Sequence, residues 1–264
     1  MVPVLKMFAP LLAAFAVLAF RPAVTYAQST PKANLKFIAQ KADVDDATLD
    51  GVAKELLARG KTGLAVQQVR SEVLALLSET NSCSDWFLSA EPAAQEKFRS
   101  LHFDIDPAGS SEILKIEGAQ ARTDYYHPYV ARTRQAVGLG STITLNANGA
   151  FFKASAYVRD LSHPGERNSF VTFRALLVGN YSGGSPEARL LTVLHEFGHI
   201  VDLLPVDFGE PSAAFLSVQN TAVVLHHCNS QIHDHAKHLR LSESLGKVLS
   251  PNLADRTARQ TFNP

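Results

Sequence analysis

Residues 185–205 constrain the fold of this 264-residue chain more than any other stretch. Leu190, Leu191, Val193, Leu194, Ile200, Val201, Leu203 and Leu204 make the segment apolar on nearly every side of a helix, so the helix must be buried. Its start is marked by Ser185-Pro186-Glu187: a capping hydroxyl, a proline in the first turn and an acid against the positive end of the helix dipole. Pro205 predicts its end, with the helix running to Leu204. Within this buried helix stand His195, Glu196 and His199. Burying three such groups is unfavourable unless something satisfies them.

The spacing His195-Glu196-Phe197-Gly198-His199 suggests what does. Residues four apart lie on one face of a helix, one turn from each other, so the two imidazoles converge on a single point. A divalent metal at that point binds both, and Glu196, to one side, can take a proton from water activated there. On these residues the chain resembles the zincin metallopeptidases, which share this helix behind a twisted sheet. The resemblance covers residues 140–228. It implies one zinc ion, His195 and His199 as ligands, Glu196 as general base, a third ligand from downstream, and an edge strand against which a peptide substrate lies antiparallel.

The third ligand is less constrained. A metzincin-type continuation needs glycine three residues after the second histidine and histidine or aspartate at six, and those places hold Asp202 and Pro205. Asp202 shares the helix face but is displaced by about 4.5 Å along the axis, too far for its short side chain, so it is expected to support a ligand or lie at the helix surface. Asp207, on the turn after Pro205, is the first candidate. His227, Glu210 and His226 follow in that order. His226-His227-Cys228 also reads as a surface pair beside a disulfide, and His233, His235 and His238 read as a solvated face.

Residues 1–27 carry Lys6, an apolar run shorter than a membrane span, Arg21-Pro22 and small residues before Gln28, the outline of a cleaved secretory signal. The expectation is a secreted or periplasmic protein with no membrane association after cleavage. The 25 basic and 25 acidic residues become 23 and 25 once Lys6 and Arg21 are removed, a formal charge of −2 that gives nucleic acid no purchase. Cys83 and Cys228 are the two cysteines. In an exported chain they suggest a disulfide, the alternative being two separate buried thiols, and two cysteines alone cannot build a structural zinc site.

Elsewhere the pattern is helical first. Asp45 and Asp46 are candidate caps for a helix with Leu49, Val52, Ala53, Leu56 and Leu57, ended by Gly60, and a second apolar stripe runs from Leu64 to Leu77. Trp86, Phe87 and Phe98 look like core anchors around a short helix ending near Phe103. Strands are expected at 113–116, 141–145 and 169–178, a loop at 180–186, and a long helix at 212–249 broken near residues 228–230. Helices, then strands, then helices predict an α+β fold: a small mixed sheet packed on the motif helix and a following long helix, with an N-terminal helical hairpin. The expected divisions are residues 1–27 as signal, 28–80 as helical region, 81–250 as catalytic domain and 251–264 as a loose tail.

The function expected is metal-assisted hydrolysis of a peptide or protein substrate, with Thr142–Asn146 as the substrate-binding edge strand. Tyr125, Tyr126, His127 and Tyr181 are noted as proton-donor candidates without a role being given to them. A non-enzymatic exported domain with a closed structural zinc site is the competing expectation, and a metal-free scaffold the third.

Overall fold

The computed structural model describes residues 50–109, 111–117, 122–133, 139–160, 171–207 and 213–260. The expected signal, Asp45, Asp46 and Glu210 lie outside them. Helix α1 (Gly51–Ala58) begins where the Asp50 carboxylate accepts from the Ala53 amide at 2.8 Å. It stops at Gly60, whose φ of 68° no helix interior adopts, and α2 (Gly60–Ser78) turns back against it as a hairpin. Val66, Val69, Val73 and Leu76 form the buried stripe of α2, and Arg70, buried among them, bonds Asp50 and the Arg99 carbonyl, each at 2.7 Å. Then come α3 (Ser82–Ala90), started by a capping box between Asn81 and Ser84, and α4 (Ala94–Arg99).

Phe103 was expected at the close of a helix. It lies instead in strand β1 (His102–Asp106), one of nine among the described residues. The others are β2 (Ser111–Glu117), β3 (Arg122–Pro128), β4 (Ala131–Arg132), β5 (Thr142–Asn146), β6 (Ser155–Asp160), β7 (Val171–Ala175), β8 (Leu177–Val178) and β9 (Tyr181–Ser182). A mixed sheet has the order β1-β5-β4, with β1 parallel and β4 antiparallel to β5. A second sheet, β2-β3-β6-β7, is antiparallel throughout, and β8 and β9 form a hairpin. The single strand expected over 169–178 is thus two, because the chain changes sheets at Leu176, and the loop expected at 180–186 begins as β9.

Helix α5 (Pro186–Ile200) carries the motif, and α6 (Ala213–Gln260) lies along it. The architecture is α+β. One apolar cluster runs from Val66, Val73 and Leu76 through Phe87, Phe98, Ile143 and Leu145 to Leu190, Phe197, Val224 and Leu239. The N-terminal hairpin therefore shares the core of the motif helix. Cys83 and Cys228 lie at disulfide distance, their Cα atoms 4.5 Å apart and both side chains buried. The break expected in α6 near residues 228–230 is absent, since Val224, Cys228, Ile232, Ala236 and Leu239 continue one buried stripe. Pro251 does not end α6 either: the helix goes on to Gln260 through the helix formers Leu253, Ala254, Arg256 and Ala258. Among the described residues no helix is long and apolar enough to cross a membrane.

Candidate metal centre

The Ser185 hydroxyl accepts from the Ala188 amide, and Pro186 occupies the first turn, so α5 starts where its residues predict. It ends four residues before its expected limit. Asp202, at φ 61°, takes the left-handed corner, the Leu203 amide donates to Gly198 O at 2.9 Å, and the Asp202 amide donates to His199 O at 3.2 Å. This is a Schellman cap, and it turns the chain before proline can. Gly198 permits it. A Cβ there would sit 2.6 Å from Leu204 Cδ1, so the absent side chain is what lets Leu204 fold back onto the helix.

That reversal has two consequences. It brings the Leu204 carbonyl to 3.3 Å from His199 Nδ1. It also delivers Asp207 to both histidines, with Oδ2 2.9 Å from His195 Nε2 and Oδ1 3.2 Å from His199 Nε2. The two Nε2 atoms are 3.1 Å apart. From α6, Thr221 Oγ1 lies 3.2 Å from His195 Nδ1, while the Asn220 amide donates to Asp207 Oδ2 at 3.3 Å and to Pro205 O at 2.9 Å. His195, Glu196, His199 and Asn220 are all buried.

These donors fit a divalent ion. A carbonyl only accepts, so His199 donates from Nδ1, and in its neutral form the ring turns a lone pair at Nε2 toward a carboxylate and a second imidazole nitrogen. Acceptors that face one another in this way suit a cation between them. Tetrahedral zinc with bonds of about 2.0–2.1 Å spaces its donor atoms by about 3.3 Å, close to the separations found here. Without an ion, Asp207 is held well below the ordinary carboxylate range: burial opposes this, but the His195 and His199 hydrogen bonds outweigh it. His199 is raised, burial being overcome by the same Asp207 contact. Glu196 is also raised. Burial dominates there, and the positive charges of His195, His199 and Arg132 offset it only in part.

Of the third-ligand candidates within the described residues, Asp207 is the one brought to the histidines. His227 is elsewhere, stacked on Trp86 at 4.8 Å with the rings 5° from parallel, and His226 packs on His227. Asp202 forms the exposed helix corner, and the outer nitrogens of the two histidines meet Thr221 and Leu204 instead. The expected edge strand Thr142–Asn146 is central in its sheet, with β1 along its whole length on one side and β4 on the other. Within this sheet β4 contacts α5, as β8 and β9 of the hairpin also do, and Arg132 of β4 sits 4.0 Å over the Tyr129 ring while adding positive charge near Glu196. Tyr181 Oη bonds Asn229 at 2.7 Å. Of the solvated face expected of His233, His235 and His238, His233 and His238 are exposed as expected, whereas His235 is buried against Glu72. Asn220, Thr221 and Arg132 were missed, since no local pattern relates any of them to residues 195–207.

Comparison with family models, curated proteins and solved structures finds no match for this chain.

Proposed function

We propose that this chain is an exported zinc-dependent hydrolase acting on peptide bonds, with His195, His199 and Asp207 holding the ion and Glu196 as general base. The observation that carries the reading is the convergence of two imidazole nitrogens of a helix that also buries Glu196 and one carboxylate from the turn beyond it, mutually within 2.9–3.2 Å. Three protein donors are the pattern of catalytic zinc sites, four that of structural ones. Among the described residues no fourth His, Cys, Asp or Glu joins this group.

Bound zinc would supply Lewis acidity, lowering the pKa of water and polarising a carbonyl oxygen. The protein's own residues do the rest. Thr221 and the Leu204 carbonyl fix the two rings, and Asn220 fixes Asp207. Burial raises Glu196, and as general base it would accept a proton from the attacking water and return it to the leaving nitrogen. Arg132, on β4, adds positive charge near Glu196. Export rests on residues 1–27 and on the Cys83–Cys228 pair, which suits an oxidising compartment.

A peptide-library cleavage assay, run with and without chelator, tests the reading. Cleavage abolished by chelator, restored by zinc and lost in Glu196→Gln supports it, whereas cleavage indifferent to both overturns it.

A further inference from the structure

Seven and fourteen residues along α6 from Thr221 stand Cys228 and His235, on the same face of the helix. Cys228 meets Cys83, and His235 meets Glu72 of α2. Glu72 is 5 % and His235 4 % exposed, so an acid and an imidazole lie inside the core about 21 Å along the helix from the Thr221 contact, at 1.5 Å per residue. His238, three residues on, points at the same place. His235 Nδ1 is 3.0 Å and His238 Nδ1 is 3.4 Å from a single atom, Glu72 Oε2. The three donor atoms lie within 4.8 Å of one another.

We propose that Glu72, His235 and His238 form a second zinc site, separate from the motif site and independent of the hydrolase reading. Two imidazoles three residues apart on a helix, with a carboxylate from a facing helix, are a donor set that borderline divalent ions take. Both rings turn Nδ1, the atom nearer the backbone, toward one carboxylate oxygen, and this leaves Nε2 of His235 directed outward. Glu79 Oε2 stands 3.8 Å from that nitrogen, beyond hydrogen-bond distance, and adds negative charge beside the ring. Solvent reaches the site from one side. The His238 side chain is 61 % exposed, while Glu72 and His235 form the floor. An ion there pins α2 to α6 two turns beyond the point where the disulfide pins α3 to the same helix.

The test is the zinc content of untagged full-length protein after zinc loading and exhaustive dialysis, for the parent, His238→Ala, Glu72→Gln and the double variant His195→Ala/His199→Ala. Loss of an orienting group behind a ligand weakens metal binding about 10–100-fold, and loss of a ligand weakens it more. The expected result is therefore one zinc per chain fewer in His238→Ala and in Glu72→Gln, whatever the occupancy of the motif site, with one ion retained by the double variant. His238 is largely exposed, so its variant is expected to fold, and circular dichroism checks this. Unchanged zinc content in a folded His238→Ala, or a double variant that binds none, overturns the proposal. Loss confined to the double variant would mean that the motif site alone binds. Failure of the hydrolase reading appears separately, as absent cleavage at full zinc content.

Discussion

Thr221 Oγ1 lies 3.2 Å from His195 Nδ1, tying the long C-terminal helix to the inner ring of the motif. The contact sets the orientation of a ring whose other nitrogen faces Asp207. Thr221→Val keeps the shape and removes the hydroxyl. We expect zinc affinity at the motif site to fall about 10–100-fold with little change in fold stability, measured by competition with a chromophoric chelator.

In the proposed reaction Glu196 acts as base without joining the donor set. Glu196→Gln preserves volume and relieves the burial of a charge, so thermal stability should hold or rise slightly. Peptide cleavage should drop at least about 100-fold, the lower end of what a general base contributes, at unchanged zinc content. Full activity in this variant would exclude Glu196 as the base.

At Gly198 two effects compete. Alanine gains about 1 kcal/mol of helix propensity over glycine. Its Cβ, however, meets Leu204 Cδ1 at 2.6 Å, and overpacking of this kind costs about 1–3 kcal/mol. A net loss of about 1 kcal/mol is expected in denaturant unfolding. Because Leu204 would also be pushed away from His199 Nδ1, weaker zinc binding should accompany it.

The cysteine pair closes a loop of 145 residues. Chain entropy assigns such a link about 4–5 kcal/mol. Cys83→Ala/Cys228→Ala should be destabilised by that order, with the reduced parent unfolding at a similar denaturant concentration. Identical stability of oxidised and reduced protein would show that the link carries nothing.

Acid sensitivity should include Asp50. Burial would raise its pKa, but the Ala53 amide and the Arg70 guanidinium hold it below the ordinary 3.8. A depressed acid contributes stability above its unfolded pKa and loses it as pH falls through the folded value. Asp50 is partly exposed, so solvent screening reduces the ion-pair contribution to about 1 kcal/mol. Asp50→Asn should therefore be less stable than the parent at pH 7, with the gap closing below about pH 4. A gap independent of pH would remove the ion pair from the explanation.

The start of α5, its burial and the shared face of His195 and His199 were legible in the residues themselves. A helix is a rigid local object, and spacing along it is distance in space. Nothing of that kind relates residue 199 to residue 207. Pro205 was the visible stop, yet the Schellman corner at Asp202 turned the chain first, because Gly198 left room for Leu204. The same gap hid β5 at the centre of its sheet, since strand neighbours are chosen across the fold and a five-residue alternation does not name them. It also hid His235, which looked solvated on its own helix until Glu72, 163 residues away, covered it. The sequence by itself determined the helix and the face that His195 and His199 share. The tertiary structure alone decided which carboxylate meets the two rings, what holds them from behind, and where a second pair of imidazoles finds an acid, because those distances depend on how separate rigid elements pack.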